Sequence, residues 1–119
     1  MTEILLIVAL SLLGGIVYGS FFEWSLHRFV MHQPILKFDY AYQAHDVVHH
    51  GTFDSGHTYY LKDKSQWRLV TMAWWNFPAL LVINSPVGFL VTWLTGSWWS
   101  MLVFMLALSI YYGLYEYLH

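Results

Sequence analysis

The chain has 119 residues, of which 58% are hydrophobic, 20% aromatic and only 10% charged. A soluble domain carries about 25% charged residues, so one domain with lipid as its solvent is the expectation. The formal net charge of −2 excludes the basic footprint of a nucleic-acid binder, and the absence of cysteine excludes disulfide frameworks, thiolate metal sites and cysteine nucleophiles.

Residues 4–22, "ILLIVALSLLGGIVYGSFF", carry no charge and are long enough to cross a hydrocarbon core of roughly 30 Å. The start Met-Thr-Glu lacks the basic region of a signal peptide, which predicts an uncleaved membrane anchor. A polar stretch follows at 38–66, too rich in aromatic residues for a disordered linker. From residue 69 to residue 115 there is no Asp, Glu, Lys, Arg or His. As a single helix that run would reach about 70 Å, more than twice a bilayer core, so it must fold back.

Turn-forming residues sit at Asn84-Ser85-Pro86 and at Thr95-Gly96-Ser97. They predict a span over 68–83 kinked at Pro78, a half-helix or interfacial piece over 87–94, and a last span over 98–118. Trp93, Trp98 and Trp99 are expected as interfacial anchors near the turn. The expected fold is all-α: one integral membrane helical bundle over residues 1–119, with about three spans and a histidine-rich helical region.

All five basic residues, Arg28, Lys37, Lys62, Lys64 and Arg68, lie in one window. The positive-inside tendency places that window in the cytoplasm and the N-terminus outside. Three spans then return Glu116 and His119 to the face that holds the other histidines.

Six of the seven histidines fall between residues 27 and 57. Ionisable groups at membrane depth are costly and mark function, and neutral imidazole ligates metals at ordinary pH. His45 and His49, four apart, share a face of an α-helix and clasp one ion; His50 lies about 100° further round, free to reach a second. His27 and His32 are about 140° apart on an ideal helix but are able to meet if the helix ends before Pro34, with His32 in a frayed last turn. Glu23, four residues before His27, is placed to orient its imidazole. Asp46 reads as a solvated loop carboxylate, and His57, in "DSGHT", is a further candidate ligand.

These residues carry a resemblance. "HRFVMH" (residues 27–32) and "HDVVHH" (residues 45–50) resemble the first two histidine boxes of the fatty acid hydroxylase / sterol desaturase superfamily, and "YEYLH" (residues 115–119) is similar to the start of its later histidine segment. The resemblance spans nearly the whole chain. It implies a di-metal centre with His27, His32, His45, His49 and His50 as ligands, His119 as a sixth and His57 in question. Glu23 and Glu116 are expected behind the ligands. It also implies further histidines beyond His119, so that the chain is expected to be incomplete.

The activity implied is hydroxylation or desaturation of a fatty acyl or sterol-like C–H bond, with two iron ions as cofactor, dioxygen as oxidant and a lipid as substrate. Zinc is able to occupy such a site but brings no redox chemistry. The chain has no dinucleotide fingerprint and no haem attachment motif, so an external electron donor, ferredoxin- or cytochrome b5-like, is expected. Lys62, Lys64 and Arg68 are candidates for docking it, beside their simpler role as topology-setting charges.

Phe29, Val30, Phe38, Tyr40 and Tyr42, around the boxes, are candidates for lining a substrate slot, as are Trp74, Trp75 and Asn76. The alternatives are a carotenoid ring hydroxylase of the same superfamily, whose second box more often has two residues between its first histidine and the pair, and a non-catalytic membrane metal- or haem-binding protein. Carboxylate di-iron chemistry needs two Glu-x-x-His motifs and two partner glutamates, whereas only Glu3, Glu23 and Glu116 are present.

Overall fold

The computed structural model describes residues 2–35, 39–53, 63–71 and 73–118. His57, His119, Phe38, Lys37 and Lys62 lie outside the described residues. In chain order the helices are α1 (Thr2–Leu26), a π-helix (His27–Met31), α2 (Tyr40–Tyr42), a second π-helix (Gln43–His49), α3 (His50–Thr52), a 3-10 turn (Lys64–Gln66), α4 (Trp67–Val70), α5 (Asn76–Thr95) and α6 (Trp98–Leu118). No strand occurs among the described residues. Two compact units result, one of Met1–Phe21 with Ala73–His119 and one of Phe22–Met72.

Three helices are long and apolar enough to cross a membrane: Thr2–Met31, Asn76–Thr95 and Trp98–Leu118. At about 1.5 Å per residue the shortest spans about 30 Å, the thickness of a hydrocarbon core. Their outward surfaces remain apolar, with Val82 71% and Leu102 60% exposed. Water would not tolerate so continuous an apolar face, but lipid requires it. These helices make the chain a multi-pass membrane protein.

In the first unit the portion of α1 up to Phe21 packs through small residues. Ser11, Gly15 and Gly19 are buried at four-residue intervals, which puts them on one stripe. A Cβ on Gly15 would lie 2.7 Å from Ala107 Cβ and 3.2 Å from the Phe104 carbonyl oxygen, so only glycine allows this approach. At Gly19 the corresponding neighbour is Leu108, at 3.1 Å. Residue numbers rise together on both helices, so α1 and α6 run in the same direction. Helices in lipid gain from such close packing because no hydrophobic drive joins apolar surfaces there. Phe104, Ala107 and Leu108 form the core beneath the stripe.

Polar side chains inside the unit satisfy one another. Tyr18 donates its hydroxyl to Asn84 Oδ1 at 2.7 Å, and the Asn84 amide donates to the Leu80 carbonyl at 2.8 Å. Asn84 is wholly buried, and an amide in hydrocarbon without such partners would cost several kcal/mol, on the order of 4–8.

The second span differs from the expectation. α5 continues unbroken through Asn84-Ser85-Pro86 and ends only at Thr95. Pro86 has no N–H for the Val82 carbonyl four residues back, but the Ser85 hydroxyl donates to that oxygen at 2.8 Å. The freed acceptor is satisfied within the helix, which is what a membrane demands. Pro78 sits in the first turn of α5, where N–H groups have no intrahelical acceptor, and so imposes no kink. Residues 67–70 form the separate short helix α4 instead of the start of the span.

The turn at Gly96 is as expected. Its φ of 66° is the left-handed conformation glycine adopts without strain, and its N–H closes on the Thr92 carbonyl at 2.8 Å. The Thr95 and Ser100 hydroxyls meet across the turn at 2.6 Å. α6 then returns antiparallel to α5, with Phe89 against Trp98 near the turn and Phe77 against Tyr112 at the far end.

Candidate metal centre

The second unit holds the described histidines on two π-helical turns. A π-helix bonds i to i+5, a wider turn than the α-helix, and single turns of it recur at functional sites. In the second segment this is direct: the His50 N–H bonds to the His45 carbonyl. The first π-helix, His27–Met31, ends on His32. The two pairs spaced by five, His27/His32 and His45/His50, are thus each brought to one side of their turn. The helix does end before Pro34, at Met31 with His32 as its cap, but its last turn is a π turn and not a frayed α-helical one.

His27, His32, His45 and His50 converge so that one ring nitrogen of each lies within 4.8 Å of the others. His45 is central, with its ring centroid 4.6 Å from that of His27, 5.1 Å from His32, 4.9 Å from His50 and 5.4 Å from His49. It is 7% exposed, with Nε2 itself buried, whereas His27 and His32 are half-buried and His50 is exposed.

Two carboxylates stand behind the cluster. Asp46 Oδ1 lies 2.6 Å from His32 Nδ1, and Glu23 Oε1 lies 3.7 Å from His27 Nδ1. Asp46 is therefore a partner of His32 and not a solvated loop carboxylate. It projects from the second π-helix to a histidine at the end of the first, a pairing that sequence separation hides. A carboxylate only accepts, so Nδ1 of His32 donates and its lone pair resides on Nε2. The Glu23 charge favours the same tautomer in His27 once a metal is bound. The two Nε2 atoms are 2.9 Å apart. Without a metal the contact is a hydrogen bond in which Nε2–H of His27 donates to the His32 lone pair, and the same two nitrogens are near enough to share one metal ion.

The donor set fits a metal. Nitrogen ligands bonded at about 2.1 Å stand about 3.4 Å apart round a tetrahedral ion and about 4.2 Å apart across one, and the four ring nitrogens, all within 4.8 Å of one another, are close enough to hold one ion. Carboxylates holding the remote nitrogens are the usual outer support of ligating histidines. Partial desolvation of the otherwise exposed ring, followed by the neighbouring His49 and His32, lowers the proton affinity of His50 despite an opposing pull from Asp46. The imidazole therefore stays neutral, and able to ligate, to lower pH than an ordinary histidine.

His49 does not join the four. Its Nδ1 donates to the Leu69 carbonyl at 3.0 Å, which ties the second π-helix to α4 and leaves the lone pair on Nε2. Its ring stacks on His45 at an interplanar angle of 14°. The α-helical pairing of His45 with His49 on one ion, with His50 turned elsewhere, is replaced by His45 with His50, because the π turn shifts the register by one residue.

The remaining candidates are dispersed. Glu116, in the other unit, accepts from the Tyr112 hydroxyl at 2.6 Å. Phe29 packs edge-on against Trp24 at 5.8 Å, Val30 and Tyr42 are half-buried, and Tyr40 is exposed. Trp74 is 85% exposed, and Trp75 and Asn76 sit at the head of α5.

Replacing Asp46 by alanine should lower metal affinity about 10–100-fold, the usual cost of removing an outer support. Asparagine should restore much of it, because its side-chain oxygen still accepts from Nδ1 of His32. Competition titration against a chromophoric chelator measures both, and equal affinity in wild type and D46A would remove Asp46 from the site.

No protein-family model, no curated protein and no solved structure matches this chain.

Proposed function

We propose that the chain is a membrane-bound, iron-dependent oxidoreductase that hydroxylates or desaturates a C–H bond of a lipid, fatty acyl or sterol-like, using dioxygen and electrons from an external ferredoxin- or cytochrome b5-like protein. The observation that carries this reading is the convergence of four ring nitrogens, with carboxylates behind two of them, at the end of a membrane-length helix. In this reading a metal held there would lie where the first span ends, within reach of water and of acyl chains.

His27, His32, His45 and His50 would hold the first iron, and His49, with Nε2 as its donor, would serve a second. When bound, two irons supply the activation of dioxygen that no side chain of this chain performs. Glu23 and Asp46 keep the ligand lone pairs directed inward. The basic residues around the cluster support a cytoplasmic location, where soluble electron donors are found.

The decisive experiment is anaerobic loading of the purified full chain with Fe(II), reduction through a ferredoxin or cytochrome b5 system, and exposure to oxygen in vesicles of defined lipids. Mass spectrometry should find lipid heavier by one oxygen or lighter by two hydrogens. Unmodified lipid, with iron bound and electrons consumed, would sink the reading. Tight retention of zinc in preference to iron would favour a structural metal.

A further inference from the structure

Among its described residues the second unit carries a cation that no carboxylate pairs with. Arg28, one residue beyond His27, is exposed, with its guanidinium carbon 5.7 Å from the centroid of the Trp24 ring and 5.9 Å from that of Phe29. Both distances fall within cation–π range. Three described carboxylates of this unit are directed elsewhere: Glu23 to His27, Asp46 to His32, and Asp63 to the Ser65 N–H, where it caps a turn. Arg28, Lys64 and Arg68 make no ion pair among the described residues, and Arg68 follows another exposed tryptophan, Trp67.

We propose that Arg28, braced by Trp24 and Phe29, binds the phosphodiester of an anionic phospholipid, with Lys64 and Arg68 adding to the attraction of the same unit for a negatively charged membrane surface. The guanidinium fork matches phosphate oxygens in pairs. Exposed Trp24 (49%) and Phe29 (49%) belong where rings meet headgroups, at the end of the helix that crosses the core. An acidic soluble protein would have to cover those apolar rings, whereas a lipid solvates them. Each basic residue near an anionic surface contributes an attraction equivalent to about a five-fold change in binding.

The test uses the full chain reconstituted into vesicles of equal phosphatidylcholine and phosphatidylglycerol, re-extracted in mild detergent, with co-purifying lipid counted by mass spectrometry. Phosphatidylglycerol should be enriched over phosphatidylcholine. The R28Q variant should lose about five-fold of that enrichment, R28K should retain part of it, and raising salt from about 0.1 to 1 M, which shortens the screening length from about 10 to 3 Å, should weaken it. Circular dichroism and metal content, neither of which depends on Arg28, establish that the variants are folded. Wild-type enrichment in both R28Q and R28K would overturn the proposal. So would equal recovery of the two lipids, including the case in which an acidic electron donor binds in an Arg28-dependent way.

Discussion

Alanine in place of His45 is expected to strip the centre of its metal while the helices remain. His45 is the most buried of the four converging histidines, and its ring touches those of His27, His32, His49 and His50. Losing an outer support costs about 10–100-fold in affinity, so loss of the central ligand should exceed about 100-fold. Elemental analysis of detergent-purified protein should find H45A essentially metal-free, with helical circular dichroism close to wild type. Replacement of His49, held on the Leu69 carbonyl outside the group of four, should cost less at the first ion. Unchanged metal stoichiometry in H45A would show that the converged rings are a packing cluster and not a coordination site.

The second large effect is expected in the other unit. Gly15→Leu should drive α1 away from α6, since even its Cβ would stand 2.7 Å from Ala107 Cβ and 3.2 Å from a backbone oxygen that cannot swing aside. Overpacking of this kind costs about 1–3 kcal/mol, and separation of the helices would also strain the Tyr18 hydrogen bond to buried Asn84. The neighbouring glycine is an internal control. A Cβ on Gly14 meets nothing within 4 Å, so Gly14→Ala should be neutral or more stable by up to about 1 kcal/mol through helix propensity. Thermal or denaturant unfolding in detergent measures both. If G15L unfolds at the same point as G14A, the α1–α6 contact does not hold the helices together.

Much of the architecture follows from local rules because the membrane makes them strict. Charge-free runs of 20 residues or more become helices since no other open structure satisfies its backbone in hydrocarbon. Gly96 turns the chain because it adopts a left-handed conformation that side chains resist. The reading fails at Pro86, where the neighbouring Ser85 hydroxyl replaces the missing backbone donor and the helix survives. A signal was present and unread in α1, where Ser11, Gly15 and Gly19 recur at the spacing of close helix packing.

From composition and pattern alone came the lipid solvent, the helical class, the chain reversal at Gly96 and a concentration of metal-ligating side chains where the first span ends. Which of those side chains meet was a decision of tertiary structure. An ideal α-helix sets residues five apart well out of line, whereas the π turns bring His27 to His32 and His45 to His50. Asp46 reaches His32 across fourteen residues of chain. Sequence spacing describes one regular helix at a time, while ligand geometry depends on how two irregular turns are pressed together.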